Sequence, residues 1–582
     1  MKNKLIAVVA ILLLVSMPIS TRCAAPPIAE LLPADSLGYV ELSDMGVFYY
    51  LISEIGEAAL HSIEEEKEVP EHIRVKGRAI LEAFDEIKPL LPRSASLGVV
   101  SIDPTSGQPS LLFVGELSDA LAPLASAATK LIAAAPNVEV KKTDYGTQIV
   151  IPRAPVPPIG CAVKDNVLYL TTGEGLLDDV LSRATADTLA QTPHFKEVIA
   201  VTGKSSLVSA YLNVDAIRET LLPVIPPQAK QVVELLGLTD VHAAGISLSA
   251  DEQYVGFNLA LQYTTDAPGI PGILSIPNTK PKGIAYVPED FSYVTRFSLG
   301  PPAELLKKVR SMLDRAGVEA NIDQGFAEIK ENLGIDINQL LASLGGELTI
   351  GMKIPETPGV PSIVACLEAK DPQFVVGTLK RLLEMMQMSC TEIEIEGRKI
   401  LMVTPTMPIP VTPALAVDED VIVMGVSSAV VQRALAAKAN GRNIASKPEF
   451  KAAMEGLPAD SNIALEYIEM ESLAQLAVTG LGIAAAMAPE EAKPMIARAM
   501  PYVHKAVQDL EEAAEVVYRT PNGLALHSRW GTRSLMQVLR NGAALGAKAA
   551  MYFIAARREV AIEEEASTAE TAAEEAISVE VE

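Results

Sequence analysis

Around Leu37–Leu42 apolar residues recur at the period-two spacing of a half-buried strand, and the pattern then lengthens to helical spacing over Val47–Leu60 and Val75–Lys88. Two further period-two runs, Leu97–Ile102 and Ser110–Leu117, flank the turn Asp103–Pro109. The same order returns downstream: a strand at Leu207–Asn213, helices to about Leu236, then strands at Ala243–Leu248 and Tyr254–Leu261. Near the C-terminus Asn522-Gly523 stands between two such runs as a two-residue hairpin signal. One strand, then helices, then a hairpin is therefore the expected unit, used about four times. Strands joined by short turns and separated by Ala- and Leu-rich amphipathic helices predict an α+β fold, with antiparallel sheet covered by helices. A doubly wound parallel sheet needs strict strand and helix alternation, which the hairpins break.

The units group into two larger repeats. Leu32-Pro33-Ala34-Asp35-Ser36 recurs unchanged as Leu457-Pro458-Ala459-Asp460-Ser461, and looser versions begin at Val287-Pro288-Glu289-Asp290 and Gly203-Lys204-Ser205-Ser206. Pro33 and Pro288 are 255 positions apart, as are the Pro-x-Phe-Lys strings at Pro193 and Pro448. Ala162-Val163 matches Ala416-Val417 at 254, and Ser110, Glu116 and Asp119 match Ser362, Glu368 and Asp371 at 252. A near-constant offset that drifts by loop-sized steps predicts tandem modules, from Ala29 to Tyr263 and from Gly283 to Arg558. Thr264–Lys282, rich in Pro and Gly, reads as a semi-extended linker between them. The Pro-Ala-Asp-Ser string reads as a strand-entry turn: Pro lacks the ladder donor, and Asp and Ser cap free backbone N–H groups. A ligand site using Asp35 and Asp460 is the sharper alternative.

Both ends carry other signals. Lys2 and Lys4, the apolar run Leu5–Val15 and the break at Met17-Pro18 read as a signal peptide over residues 1–24, cut between Ser20 and Ala24. Export to the periplasm, cell surface or medium follows, with no membrane span in the mature chain, because the run falls short of about 20 apolar residues. From Glu559 to Glu582 there are nine Glu and no Lys or Arg, an acidic tail too poor in apolar residues to fold. The Ala-rich stretch Leu535–Ala556 is interrupted by Arg540 and Lys548 and is expected to pack on the second module. With 582 residues, 49 % of them hydrophobic, the chain has ample material for real cores, and a formal charge of -25 repels phosphate backbones. Nucleic acid is excluded as a partner on that ground.

No catalytic, cofactor or metal residues emerge from motif spacing. Thr202-Gly203-Lys204-Ser205 ends like a phosphate loop but has Val198 where its first Gly belongs, and Gly173-Glu174-Gly175 has Asp178 at the third Gly position. No nucleophile elbow or zinc-protease motif is present, and His61, His72, His194, His242, His504 and His527 are scattered. His61, Glu64, Glu65, Glu68 and His72 form the densest ligand-type cluster and read as an exposed charged loop. Met385, Met386, Met388 and Cys390 offer soft donors for Cu(I), but read as the end of a core helix. Aromatic content of 4 %, with Trp530 the one Trp, disfavours a sugar-stacking platform. Of the cysteines beyond Cys23, Cys366 and Cys390 fall on strands flanking one helix and are candidates for a disulfide, leaving Cys161 as a buried thiol.

The Leu-Pro-Ala-Asp-Ser entry with its following strand, at Leu32–Leu42 and Leu457–Tyr467 behind a signal peptide, resembles a family of exported bacterial proteins known as domain of unknown function thirty-three fifty-two. That resemblance implies an exported α+β protein and transfers no functional residues. Duplication without a catalytic constellation predicts a non-enzymatic binding or envelope-associated protein, taking another protein or an apolar ligand. The alternatives are a carboxylate-dependent hydrolase with its site between the modules and a structural component of the cell surface.

Overall fold

The computed structural model describes residues 27–65, 71–87, 92–103, 106–117, 139–150, 157–203, 206–250, 253–315, 322–355, 360–395, 397–404, 411–472, 474–475, 478–479, 482, 493, 497, 500, 510–532 and 540. The leader, the acidic tail, Lys204-Ser205, and almost all of Leu535–Ala556 lie outside them.

The chain is α+β, and its described strands form one antiparallel sheet. The first ten are β1 (Gly38–Leu42), β2 (Ala95–Ile102), β3 (Pro109–Glu116), β4 (Glu139–Lys142), β5 (Thr147–Val150), β6 (Ile159–Lys164), β7 (Val167–Thr172), β8 (Val208–Asn213), β9 (Val241–Ala250) and β10 (Tyr254–Tyr263). They pair in the spatial order β4-β5-β6-β7-β3-β2-β1-β8-β9-β10. The next ten are β11 (Tyr293–Ser298), β12 (Leu344–Lys353), β13 (Ser362–Ala369), β14 (Ser389–Ile395), β15 (Arg398–Thr404), β16 (Ala414–Asp418), β17 (Val421–Gly425), β18 (Ala464–Glu469), β19 (Glu512–Thr520) and β20 (Gly523–Gly531). Their order, β14-β15-β16-β17-β13-β12-β11-β18-β19-β20, is the same path taken again. β10 pairs with β20 from Tyr254↔Gly531 to Gln262↔Gly523, and this seam joins the two flanks.

Each flank builds a core on the same face of the sheet. On the first, Tyr39, Leu112, Val114, Tyr169 and Tyr211 pack with Ile28 and Leu32 and with Phe195 and Val198 of helix Pro193–Thr202. On the second, Val294, Val364, Val423, Leu465 and Tyr467 pack under helices Ser428–Asn440 and Pro448–Met454. The strands alternate as half-covered antiparallel strands should. In β18, Leu465 and Tyr467 are buried, whereas Ala464, Glu466 and Ile468 turn to the opposite face.

Local contacts recur between the flanks. Pro33 bridges Thr188, and Pro288 bridges Asn443. The Leu189 N–H donates to the Leu32 carbonyl at 2.9 Å, and the Ile444 N–H to the Val287 carbonyl at 2.8 Å. Both pairs of contacts are displaced by 255 positions at each end. Pro33 closes a turn in which the Ser36 N–H donates to its carbonyl at 3.0 Å, two residues before β1. The capping role expected of the side chains does not appear: Asp35 is exposed and the Ser36 hydroxyl is buried without a hydrogen-bond partner.

Two other details differ from the sequence expectation. The β19–β20 turn is Pro521-Asn522, not Asn522-Gly523, because Thr520 pairs directly with Gly523. Gly523 instead serves the seam: a Cβ there would lie 2.0 Å from the Leu261 carbonyl oxygen of β10. A primed turn does occur between β6 and β7, where Asp165 and Asn166 both have positive φ (51° and 63°). The second difference is that Cys366 and Cys390 are free thiols. The path from β13 to β14 crosses β17, β16 and β15, four strand spacings of about 4.8 Å, against the roughly 7 Å Cα limit of a disulfide. Cys161 is a buried cysteine outside any disulfide, and burial pushes the Cys366 thiol pKa up.

Thr264–Lys282 contains the short helix Ile270–Leu274, with Pro271, Gly272, Ser275 and Ile276 buried. The Tyr263 hydroxyl donates to the Leu274 carbonyl at 3.1 Å and Lys308 Nζ to the Gly272 carbonyl at 2.6 Å. Among the described residues no helix is long and apolar enough to cross a membrane.

Candidate functional site

Two features stand out from the scaffold, one on each face of the sheet. The first lies on the core face beside the seam. Pro193 begins helix Pro193–Thr202 with φ already fixed for the first turn, and Thr192 caps it, so His194 is held at the helix N-terminus. Asn213 ends β8 and caps helix Val214–Leu221 through its Oδ1, which accepts from the Ala216 N–H at 3.1 Å and holds Asp215 in that helix's first turn. His242 is the second residue of β9. These three elements converge, and one ligand atom from each of His194, Asp215 and His242 lies within 4.8 Å of the other two.

The hydrogen bonds around the cluster orient its side chains. His242 Nδ1 is 3.1 and 3.2 Å from the two Asp215 oxygens, and its Nε2 is 2.8 Å from Thr264 Oγ1. Arg218, one helical turn after Asp215, donates to Asp215 Oδ1 at 2.6 Å and is anchored on the Thr239 carbonyl. His194 Nδ1 is 3.0 Å from Gln262 Oε1. Gln262 Nε2 donates at 2.6 Å to Glu197, whose carboxylate also accepts from Asn522 Nδ2 at 3.0 Å. Because a carboxylate only accepts, Glu197 fixes which way the Gln262 amide points. The His194 Nδ1 must then carry a proton for the Gln262 oxygen. In the neutral ring Nε2 is left as a lone pair, 3.7 Å from Asp215 Oδ2. The two His rings stack 4.8 Å apart with 5° between their planes. The chain from Asn522 to His194 also ties the second flank's terminal hairpin to the first flank. His527 of β20 adds to that tie, its Nε2 standing 3.2 Å from the Val201 carbonyl, and burial pushes its pKa down.

The second feature is a row of apolar side chains on the opposite face. Register places Leu97, Val40, Ala210, Ile246 and Leu259 side by side on β2, β1, β8, β9 and β10. Leu259 faces Leu526 across the seam, and the row continues through Val517 and Ala464 to Phe297. Although unbroken across nine strands, it is half open: Leu97 is 45 %, Val40 48 %, Ile246 41 % and Phe297 43 % exposed, with Phe257 (37 %) and Trp530 (42 %) beside it. Helix Pro372–Met385 buries Leu401, Leu415 and Ile422 on the second flank beyond the row. Within the row's border, Glu466 and Glu515 stand directly opposite one another on β18 and β19. Burial pushes the Glu515 carboxyl above its usual range and the Glu466 charge adds to the shift.

None of this was flagged by residue spacing. His194, Asp215 and His242 are separated by 21 and 27 residues and fit no ligand motif. The densest ligand-type run, read as an exposed charged loop, has its described members on helices instead: His61, Glu64 and Glu65 lie on helix Met45–Glu65, where Glu64 is ion-paired with Arg78, and His72 on helix Glu71–Ile87, while Glu68 is outside the described residues. Glu64 and Arg78 line, with Glu71, Arg74 and Glu82, a charged surface cleft of about 400 Å³ between two helices. Met385 and Met386 are exposed at a helix end, 48 % and 62 %, rather than packed as the end of a core helix. Gly173 and Gly175 form a strand-to-helix turn, both with positive φ.

A family model described as "Protein of unknown function (DUF3352)" matches residues 83–499. No curated relative matches the chain. Among solved structures, crystal form IV of TP0453 is 16 % identical, covering 41 % of this chain and 81 % of that one with a TM-score of 0.22. Crystal form III of the same protein is likewise 16 % identical, covering 43 % and 84 % with a TM-score of 0.22.

Proposed function

The chain belongs to the DUF3352 family of proteins of unknown function, and with no activity to inherit from it we propose, from the chain's own geometry, an exported non-enzymatic binding protein whose apolar row takes an extended hydrocarbon chain. The observation that carries this reading is the uninterrupted apolar register from Leu97 to Phe297, left half exposed. Soluble proteins rarely leave a contiguous apolar strip open without a use for it. Its shape favours an acyl chain over a globular partner. The row is long, about 4.8 Å per strand over nine strands, and Glu466, Glu515 and Ser528 border it.

The scaffold under the row is, on this proposal, a tandem duplication: residues 29–263 and 283–558, joined by 264–282. Support comes from the repeated strand path and from the Pro33–Thr188 and Pro288–Asn443 bridges, displaced alike by 255. Export rests on Lys2, Lys4 and the apolar run that follows them.

Titration of a fluorescent polyene fatty acid into the mature chain tests the reading. Saturable binding is expected, and Ile246→Asp or Phe297→Asp should each weaken it tenfold or more, since burying such a side chain is worth about 1.5–3 kcal/mol. Absence of saturable binding, or unchanged binding by both folded variants, would overturn it. An acyl ester probe supplies the hydrolase comparison: turnover by the wild type that Glu515→Gln abolishes would move the function to the Glu466–Glu515 carboxylates.

A further inference from the structure

We propose that His194, Asp215 and His242 bind a divalent transition-metal ion of the Zn²⁺ class, and that the ion clamps the seam between the two flanks of the sheet. The argument rests on proton placement. The Asn522, Glu197 and Gln262 relay gives His194 its proton at Nδ1, which directs the Nε2 lone pair at Asp215 Oδ2, 3.7 Å away. An imidazole lone pair and a carboxylate oxygen this close are two ligand atoms that a cation can take together. Asp215 Oδ1 is engaged by Arg218, so Oδ2 is the oxygen left to ligate. His242 presents Nδ1 to the same point, and its Nε2–H can donate to Thr264 Oγ1. Each imidazole therefore has the outer hydrogen bond that orients metal-ligating histidines.

Two nitrogens and one carboxylate oxygen suit Zn²⁺, with water in the fourth position. The side chains are 42 %, 28 % and 25 % exposed, which leaves that position open to solvent. A second proton on His194 is the competing occupant. The scaffold does not demand these residues, since the positions 255 beyond His194 and Asp215 hold Glu449 and Met470. The ligands lie on helix Pro193–Thr202, helix Val214–Leu221 and β9, and Glu197 of the first helix holds Asn522 of the β19–β20 turn. An ion at the cluster thus fixes the helix that grips the seam.

The test uses the untagged full-length mature chain, stripped with chelator and titrated with Zn²⁺ and with Co²⁺ as a spectroscopic substitute. One equivalent should bind, with the visible absorption of low-coordinate Co²⁺, and seam amides of β10 and β20 should gain protection from hydrogen exchange. His194→Ala and the near-isosteric Asp215→Asn, checked for fold by circular dichroism, should lose the site. Gln262→Leu removes no ligand and should weaken binding about 10- to 100-fold. Failure of the wild type to take up one equivalent overturns the proposal. Equal binding by folded His194→Ala and Asp215→Asn also overturns it, as does a His194 ring found doubly protonated in the presence of Zn²⁺. Loss of binding by both variants, with fatty-acid binding retained, supports it separately from the apolar row.

Discussion

Arg296 is the largest fully buried side chain among the described residues, 0 % exposed, and its tolerance inside the protein depends on the partners of its two Nη groups, because its Nε is buried without one. Nη1 donates to the Asn462 carbonyl and to Asn462 Oδ1, both at 2.7 Å, and Nη2 to Glu347 at 3.0 Å and to Thr279. Glu347 also accepts from the backbone N–H groups of Lys282 and Gly283, at 2.9 and 2.6 Å. The pair therefore secures the chain's entry into the second flank. Arg296→Met should cost about 3–5 kcal/mol in urea unfolding, because it leaves a buried carboxylate without its counter-charge. Adding Glu347→Leu should not restore stability, since two buried N–H groups then lose their acceptor. Full recovery in the double variant would show that the backbone contacts contribute little.

At the level of elements, the seam has the tightest steric requirement. β20 begins on a residue whose Cβ would meet the β10 backbone at 2.0 Å, so a glycine at 523 lets the two strands approach within ladder distance. Gly523→Val should force β10 and β20 apart at that end, destabilising by about 1–3 kcal/mol and opening the amides of Tyr263 and Gln262 to hydrogen exchange. Unchanged protection there would mean the turn shifts instead. The Asn522-Gly523 string thus carries a packing constraint rather than the primed turn its sequence suggests, whereas Asp165-Asn166, with no glycine, makes such a turn.

Across the whole molecule, strand edges are managed by chemistry at the ends and by pairing in the middle. β4 (Glu-Val-Lys-Lys, each residue exposed) and β14, with Glu392 and Glu394, put charge on the outermost strands, which discourages further pairing. β10 is different: a ten-residue strand with Phe257 exposed and no such protection, covered by β20 alone. Residues 29–263 expressed without the rest should therefore self-associate through β10, and sizing at increasing concentration should show dimers or larger species. A fragment that stays monomeric would show that the edge is not sticky.

Hydrophobic periodicity was enough to read the α+β class and most strands, because each strand's alternation is local and is set by one buried face. The 255-residue offset between Pro33 and Pro288 was legible as well, since it holds whatever the chain folds into. The fate of the histidines was not. His194, Asp215 and His242 come together because β8, β9 and a helix cap meet in space, and Gln262, held by Glu197, orients His194; no spacing along the chain encodes a meeting of that kind. The Cys366 and Cys390 thiols show the converse, near in sequence around one helix yet four strands apart. The apolar row has the same origin: each of its members is an ordinary outward residue of its own strand, and only the register across nine strands makes them continuous.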